Sequence, residues 1–233
     1  MLPRTSDGPF DSDEYVFEPN WGGRRALAFI DPAAAPGHAR LRLLDENGRD
    51  LAPRLPELSV LADLVADAPA ILDGEIVIPS REGHMDDYAL ADRLAEGGPA
   101  EGRLPDASAS GMGPVFLAFD LLWIAGRPLL AEPLVKRRER LAKCVSPNAG
   151  LVVLPGVVGD GVDLYRAVSQ QGLHGVMARH LRSPYLPGRC SDLWRWIPAQ
   201  AGELGLHVVA DPVPAAPTTR PVLALIQRLP LDD

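Results

Sequence analysis

Short apolar runs separated by turn residues predict a domain in which strands and helices are mixed. Strand-like runs occur at residues 24–31, 40–44, 71–78, 115–124, 151–154, 176–181 and 193–197. Apolar residues recur with helical spacing at residues 56–66, 86–94, 133–145 and 162–171. The helices do not follow the strands in the regular alternation that parallel βαβ units require. The pattern therefore predicts an α+β fold.

The strand-like run 71–78 reads ILDGEIVI and has two acids, Asp73 and Glu75, among its apolar residues. The run 115–124 likewise contains Asp120. A charge within a segment that otherwise looks buried conflicts with the local pattern, and such conflicts often mark functional sites. The 71–78 strand is therefore a candidate part of a functional site.

Two stretches lie outside this series of predicted strands and helices. Residues 95–113 are rich in Gly, Ala, Ser and Pro, which predicts a flexible surface loop. The tail that begins at residue 199 contains a strand candidate at 206–210, a Pro-rich linker and an apolar segment at 221–229. No internal repeat is present in the sequence.

The composition is that of a globular protein. Of the 233 residues, 46% are hydrophobic and 23% are charged, which excludes disordered and fibrous classes. No apolar run reaches the roughly 18–20 residues that span a bilayer, and the first residues do not resemble a signal peptide. Cys144 and Cys190 are too few for a disulfide framework. The sequence predicts a cytoplasmic protein with no membrane association.

The chain is acidic, with 31 acids, 23 Lys and Arg residues and a formal net charge of −8. Phosphate neutralisation supplies much of the affinity of nucleic-acid binders, so we expect DNA binding to be weak or absent. Arg137, Arg138 and Arg140 make the predicted helix at 133–145 basic. We expect a solvated face paired with Glu139, with a patch for the DNA backbone as the alternative.

Four blocks of sequence, in a fixed order, carry the most specific signal. They read FEPNWGGRRAL, ILDGEIVIP, FLAFDLLW and GVMARHLRSPYLPGRCSDLWRW. Together they resemble the adenylation domain of ATP-dependent DNA ligases, and most closely the ligase module of the bacterial end-joining ligases. The resemblance covers roughly residues 10–198. It implies a ligase-type nucleotidyltransferase fold, ATP-grasp-like, with antiparallel sheets flanked by helices and an ATP pocket between them.

This chain departs from the first motif of the family. The family motif reads Lys-x-Asp-Gly-x-Arg, and its lysine forms a phosphoramidate with AMP. In this chain Asn20 stands at the lysine position and Gly22 at the aspartate position, while Gly23 and Arg25 match. The lone pair of an amide nitrogen is delocalised into the carbonyl, so Asn20 lacks the nucleophilic amine. The resemblance therefore implies a domain that has lost catalysis.

The later motifs are altered as well. His174 replaces a glutamate that helps to hold the metal, and Arg179 replaces a lysine. Trp196 and Pro198 replace two lysines that grip the α-phosphate. If each charge-assisted contact contributes roughly 1.5–3 kcal/mol, the three cations lost at positions 20, 196 and 198 represent about 4–9 kcal/mol of phosphate binding. We expect no metal site and no tight ATP binding. Weak binding of ATP or AMP is the alternative.

Some positions that the family uses around the adenosine are kept. The resemblance implies that they form a vestigial adenosine pocket of four residues, Glu18, Arg25, Glu75 and Phe119. Phe119 and Trp123 are four apart on one predicted strand and share a face, which fits either core packing or a base-stacking shelf. We expect tryptophans to fill the space that ATP would occupy, with a surface for a protein partner as the alternative; these are Trp21, Trp194 and Trp196.

The resemblance also sets the expected domain boundaries and function. We expect a ligase-like adenylation domain at 1–198 and a short extension at 199–233. The 35 residues after Pro198 are interrupted by Pro212, Pro214, Pro217 and Pro221, so an OB-fold domain does not fit there. The favoured function is a catalytically inactive protein that binds a protein partner, such as a DNA-repair or ligase component. The alternatives are a nucleotide-binding or atypical nucleotidyltransferase protein, and a non-catalytic binder of DNA ends.

We predict that Asn20→Lys alone does not restore adenylation. Attack on the α-phosphorus also needs a held α-phosphate and neutralised charge, and Trp196, Pro198 and His174 have replaced the groups concerned. Residues that act as a unit lose function together. Transfer of labelled AMP to the protein measures the outcome. The comparison is a variant that also carries Gly22→Asp, His174→Glu, Trp196→Lys and Pro198→Lys. Robust transfer by the single variant would contradict the prediction.

Overall fold

Two β-sheets form the framework of the protein. The computed structural model describes residues 1–80, 85–95 and 113–199. The strands are β1 Leu2–Thr5, β2 Ser12–Asn20, β3 Arg24–Ile30, β4 Leu41–Leu44, β5 Ala70–Val77, β6 Val115–Ile124, β7 Arg127–Pro128, β8 Leu151–Val153, β9 Val157–Gly159, β10 Gly175–His180 and β11 Cys190–Pro198. The α-helices are α1 Leu61–Leu64, α2 Asp87–Leu94, α3 Leu134–Cys144 and α4 Gly161–Gln170. Two 3₁₀ helices precede α1, at Ala52–Arg54 and Pro56–Val60.

The strands pair mainly with antiparallel neighbours. The smaller sheet has the order β1-β11-β10-β2-β9, and the larger has the order β4-β3-β5-β6-β7 with β8 beside β6. Only the pairs β1–β11 and β6–β8 are parallel among the named strands. Antiparallel sheets with a few interspersed helices confirm the predicted α+β class.

Period-two alternation along the strands divides the apolar residues into layers. On β5, Leu72 and Ile76 face one cluster, while Ile71 and Val77 face another. The second cluster lies between the two sheets, and we call it the inter-sheet layer; its largest members are Phe29, Phe119, Trp123, Met177, Tyr185 and Trp194. Consequently every side chain at an odd position from 71 to 77, including Asp73 and Glu75, belongs to the inter-sheet face.

Helices cover the outer faces of both sheets. Residues of α1, α2 and α3 pack on the larger sheet, and α4 packs on the smaller sheet against Phe17 and Val176. The longest of these helices, α3, has eleven residues. Within the described residues, no helix is both long and apolar enough to cross a membrane.

Most of the predicted elements are confirmed, with two kinds of difference: one helix has another form, and four strands, β1, β2, β7 and β9, were not predicted. The helix predicted at 56–66 is a 3₁₀ helix followed by the single turn of α1. Strand β2 was not predicted, because Asp13, Glu14 and Pro19 obscure its short apolar run at 15–17. The predicted loop at 95–113 lies almost wholly outside the described residues, and the strand candidate at 206–210 lies wholly outside them.

The basic helix α3 is less solvated than its sequence indicates. Its buried residues follow helical spacing and include Arg137 between Leu134 and Leu141. Arg138 also turns inward, and only 15% of its side chain is exposed. At the surface Glu139 pairs with Lys136, whereas the prediction paired it with the arginines of this helix. The predicted solvated face is therefore wrong for Arg137 and Arg138, because α3 packs both of them towards the sheets.

A buried ion pair joins α3 to the larger sheet. The side chains of Arg137 and Asp120 are fully buried, and two hydrogen bonds of 2.8 and 2.7 Å join them. Arg137 also donates to the carbonyl oxygens of Glu132 and Ser183. Burial raises the pKa of Asp120, although Arg137 opposes this shift. The acid in the apolar strand β6 thus has a structural role.

We predict that Arg137→Ala lowers the free energy of unfolding by about 3–5 kcal/mol, because it leaves the Asp120 carboxylate buried without its cation. Urea unfolding measures the change. The matched control is Arg140→Ala on the same helix, where Arg140 pairs with Glu132 at 3.2 Å and is half exposed. The free energy of unfolding of this control variant should fall by less than about 1 kcal/mol. Equal losses in the two variants would contradict the structural role of the buried pair.

Candidate functional site

The two sheets bring Arg179 and the four retained positions of the predicted adenosine pocket together from five strands. Glu18 of β2 and Arg179 of β10 project from the smaller sheet into the inter-sheet layer, on the face opposite Phe17 and Ala178. The larger sheet supplies the three further retained positions, Arg25, Glu75 and Phe119, from β3, β5 and β6; Arg179 itself replaces the family's lysine. Residues far apart in the sequence therefore form one site between the sheets.

The register of the smaller sheet aligns three of the altered positions. Gly175 of β10 pairs with Asn20 on one side and with Pro198 on the other. Two residues further along β10, Met177 lies between Glu18 and Trp196. The family's nucleophile position and its two α-phosphate lysine positions thus lie at one end of the sheet, where this chain has an amide, an indole and a proline ring.

The Asn20 side chain takes part in the turn that follows β2. Its Oδ1 accepts a hydrogen bond of 3.0 Å from the backbone N–H of Gly22. Gly22 has a φ of 75°, in the left-handed region that favours glycine. The next N–H, that of Gly23, donates to the carboxylate of Glu75. Asn20 therefore acts as a short-range acceptor that closes a turn, a role typical of asparagine.

Glu75 is buried beneath this turn. Burial raises the pKa of its carboxyl group, while the hydrogen bond from Gly23 and the charges of Arg179 and His174 act in the opposite direction. A β-carbon at position 23 would overlap the carbonyl oxygen of Ile76 and the Glu75 side chain, so only glycine allows this approach. The kept Gly23 and Glu75 therefore have a direct structural relation to each other.

His174 and Gly22 are linked by packing. The imidazole of His174 lies where a side chain on residue 22 would start, so a β-carbon there would overlap it. His174 Nε2 is 3.3 Å from Asp87 Oδ2 on α2. An aspartate at position 22 cannot be accommodated while His174 keeps this position. The two departures from the family pattern are therefore compatible with each other, and His174 conflicts with the family's aspartate at position 22.

Metal coordination needs several ligands at one place. In the described part of the chain, no three His, Cys, Asp or Glu side chains are grouped so that they could hold a metal ion.

Glu18 is fully buried and is held by two arginines. Arg138 Nη1 of α3 lies 2.6 Å from Glu18 Oε1, and Arg179 Nη1 contacts Glu18 Oε2. Arg138 also donates to the carbonyl oxygen of Leu154 at 2.6 Å. Sequence analysis did not identify Arg138 as part of the site. A buried acid requires a cation, but only the packing of α3 shows which cation it is.

Phe119 is enclosed by other side chains and is only 3% exposed. The guanidinium carbon of Arg179 lies 4.0 Å from the centre of the Phe119 ring. Trp194 meets the same ring edge-to-face, with 6.1 Å between ring centres. Phe119 and Trp123 belong to the same apolar cluster, so the structure favours core packing over an open base-stacking shelf.

Arg25 and Asp73 form a bidentate ion pair. The two hydrogen bonds measure 3.0 and 2.6 Å, and the hydroxyl of Tyr185 donates to Asp73 at 2.8 Å. Burial alone would raise the pKa of Asp73, but Arg25 outweighs it and holds this pKa below its usual value. Arg25 also donates to the Met1 carbonyl oxygen at 2.7 Å. Tyr185 was missed at the sequence level, since its SPYLPG context indicates only a turn.

The three tryptophans contact the inter-sheet layer to different degrees. Trp194 is fully buried there, while Trp21 and Trp196 are partly buried and pack against its cluster. Pro198 is the last residue of β11 and is exposed, and its carbonyl oxygen accepts a hydrogen bond from Tyr165 at 3.3 Å. Aromatic packing therefore reaches from the centre of the layer to the end of the sheet where Asn20 lies.

Two packed sheets, with the ligase motif positions collected between them, define a nucleotidyltransferase domain of the DNA-ligase type. A family model described as "ATP dependent DNA ligase domain" matches residues 10–197. This match covers most of the chain, which therefore belongs to that family. The resemblance identified from the four sequence blocks is confirmed.

Two relatives show how the chain compares with longer proteins. The "Multifunctional non-homologous end joining protein LigD" of Mycolicibacterium smegmatis is 29% identical over 185 residues, which are 79% of this chain and 21% of that protein. DNA ligase C1 of the same organism is 33% identical over 190 residues, which are 78% of this chain and 51% of that ligase. The chain thus spans between about a fifth and a half of the length of these relatives.

A solved structure supports the same assignment. It is described as "mycobacterial DNA ligase D complexed with ATP and MES" and superposes with a TM-score of 0.65 at 29% identity. The superposition covers 85% of this chain and 60% of that one. The ligase-type fold class expected from the sequence is therefore confirmed.

We predict that His174 stabilises the fold more at low pH than at high pH. Its hydrogen bond to Asp87, with the charges of Asp87 and Glu75, raises its pKa above the ordinary 6.5, although burial opposes this. Stability from a raised pKa is fully present below the unfolded pKa and is lost as pH rises through the folded pKa. Urea unfolding of wild type and His174→Gln, from about pH 5.5 to about pH 9, should show a difference that shrinks as pH rises. The change should be below about 1 kcal/mol, since the pair is partly exposed.

The matched control for this prediction is Asp87→Asn, which keeps the shape of the partner but removes its charge. In that background the effect of His174→Gln should depend much less on pH, because the main cause of the raised pKa is gone. An equal pH dependence in both backgrounds would contradict the assigned role of the His174–Asp87 pair.

Proposed function

We propose that this chain is a ligase-type adenylation domain that has lost catalysis and acts by binding, as an accessory component of DNA repair or end joining. The observation that carries the proposal is Asn20. It stands at the position of the family's nucleophilic lysine, and its Oδ1 accepts the Gly22 N–H. An amide engaged in a turn provides no amine for a bond to the α-phosphorus.

The state of the retained pocket positions supports the same proposal. Glu18 is neutralised by two arginines, Arg25 by Asp73, and Phe119 is covered by Arg179. Tight nucleotide binding would have to break these contacts without the phosphate-gripping cations that the family uses. We therefore propose that ATP is not a cofactor of this protein, and that any residual binding of ATP or AMP is weak.

The accessory role is inferred from the relatives and from charge. LigD is named as a multifunctional protein of non-homologous end joining, and we propose that this chain works in a similar context. A net charge of −8 disfavours DNA itself as the main partner. The partner we propose is a protein, of the class of repair or ligase components.

We predict that incubation with labelled ATP and Mg²⁺ gives no acid-labile protein–AMP adduct. An active ATP-dependent DNA ligase, treated in parallel, is the positive control. Isothermal titration with ATP and Mg²⁺ should give no tight binding, since three phosphate-facing cations are absent. A stoichiometric adduct on any lysine would overturn the proposal, and tight binding without an adduct would support the nucleotide-binding alternative.

A DNA mobility-shift assay tests the remaining alternative, a non-catalytic binder of DNA ends. Nicked and blunt-ended duplexes should show little binding at moderate salt, because the chain as a whole repels phosphate. Strong binding that weakens with added salt would support a non-catalytic binder of DNA ends instead.

A further inference from the structure

The guanidinium of Arg179 lies over the ring of Phe119, the position that the ligase family stacks on adenine. Its guanidinium carbon is 4.0 Å from the centre of the Phe119 ring and 4.7 Å from the centre of the Trp194 ring. A planar guanidinium stacks on aromatic faces as a flat heterocycle does. Arg179 is itself only 3% exposed, so the group is enclosed within the inter-sheet layer.

The position of Arg179 is set from two directions. Its Nη1 contacts the fully buried carboxylate of Glu18, which fixes the end of the side chain. Its backbone pairs with Trp194 on one side and Val16 on the other, which places the side chain on the inter-sheet face. An ion pair and two ring contacts therefore hold the guanidinium in one orientation.

We propose that Arg179 is the residue that excludes a purine base from this site, because its guanidinium occupies the stacking position on Phe119. The inference rests on the proposed function, in which the domain binds no nucleotide tightly. A stacked base and the guanidinium would need the same space against the ring. Trp194 and the remaining neighbours leave only 3% of Phe119 exposed, so no other part of the ring is available.

Removal of the guanidinium should open a flat space bordered by an aromatic ring and a carboxylate. Glu18 would keep Arg138 as a partner and would gain a free oxygen, Oε2. That oxygen accepts hydrogen bonds, so it favours a purine with an exocyclic amino group over one with a carbonyl group at the same place. The site would take the nucleoside rather than its triphosphate, since the phosphate-facing cations are absent.

The experiment measures binding of adenosine and inosine to the full 233-residue chain by isothermal titration. Wild type should bind neither nucleoside measurably at millimolar concentration. Arg179→Ala should bind adenosine with a Kd at least about tenfold below the weakest binding that the titration can detect for wild type, and more tightly than inosine. Arg179→Lys should also gain adenosine binding, because an ammonium group keeps the pair with Glu18 but does not cover the ring.

Two control variants test whether the gain in adenosine binding is specific to Arg179 or follows from the removal of any nearby arginine. Arg195→Ala removes an arginine that stacks on Phe10 and Tyr15, with 5.1 and 5.4 Å to the ring centres, on the opposite face of the same sheet. Arg138→Ala removes the other partner of Glu18 and leaves Phe119 covered. Neither variant should gain adenosine binding.

The outcomes distinguish this inference from the proposed function. If Arg179→Ala is folded and binds adenosine no better than wild type, the inference is wrong and the proposed function stands. If Arg179→Ala does not fold, Arg179→Lys decides by the same criterion. Adenosine binding that increases equally in the Arg195→Ala control also overturns the inference. If wild type itself binds ATP tightly, the proposed function fails.

Discussion

A carboxylate buried between two packed sheets requires cations at fixed positions, and Glu18 imposes this requirement on three separate elements. It projects from β2, and its partners Arg138 and Arg179 come from α3 and β10. An unpaired charge at this depth would cost several kcal/mol, so the relative placement of these elements is strongly constrained. The packing of α3 and the covering of Phe119 both follow from the positions that the two arginines must take.

The same principle applies to the other charged groups of the inter-sheet layer. Asp73 is satisfied by Arg25 and Tyr185, and Glu75 accepts the N–H of Gly23. In a nucleotide-binding pocket, buried polar groups are kept in position to receive a ligand. Here Asp73 and Glu75 receive partners from the chain itself. This is the physical basis on which a family site is proposed to persist without the family's chemistry.

The altered positions form a mutually compatible set. His174 fills the space that a side chain at residue 22 would need, and Gly22 permits the turn that Asn20 closes. Gly175, with Asn20 and Pro198 on either side, aligns the altered phosphate-facing positions at one end of the smaller sheet. A change at one of these positions therefore alters the conditions for the others.

The sequence by itself determined the family, most strands and helices, and the positions where the motifs depart from their pattern. These features depend on local periodicity and on residue identity at known spacing. Strand β2 was missed because its charged and proline residues obscure a short apolar run. Only the tertiary structure decided that Arg137 and Arg138 turn inward, that Arg179 lies on Phe119, and that His174 occupies the space beside Gly22. The direction of a long side chain is set by partners distant in the sequence, and local pattern contains no information about those partners.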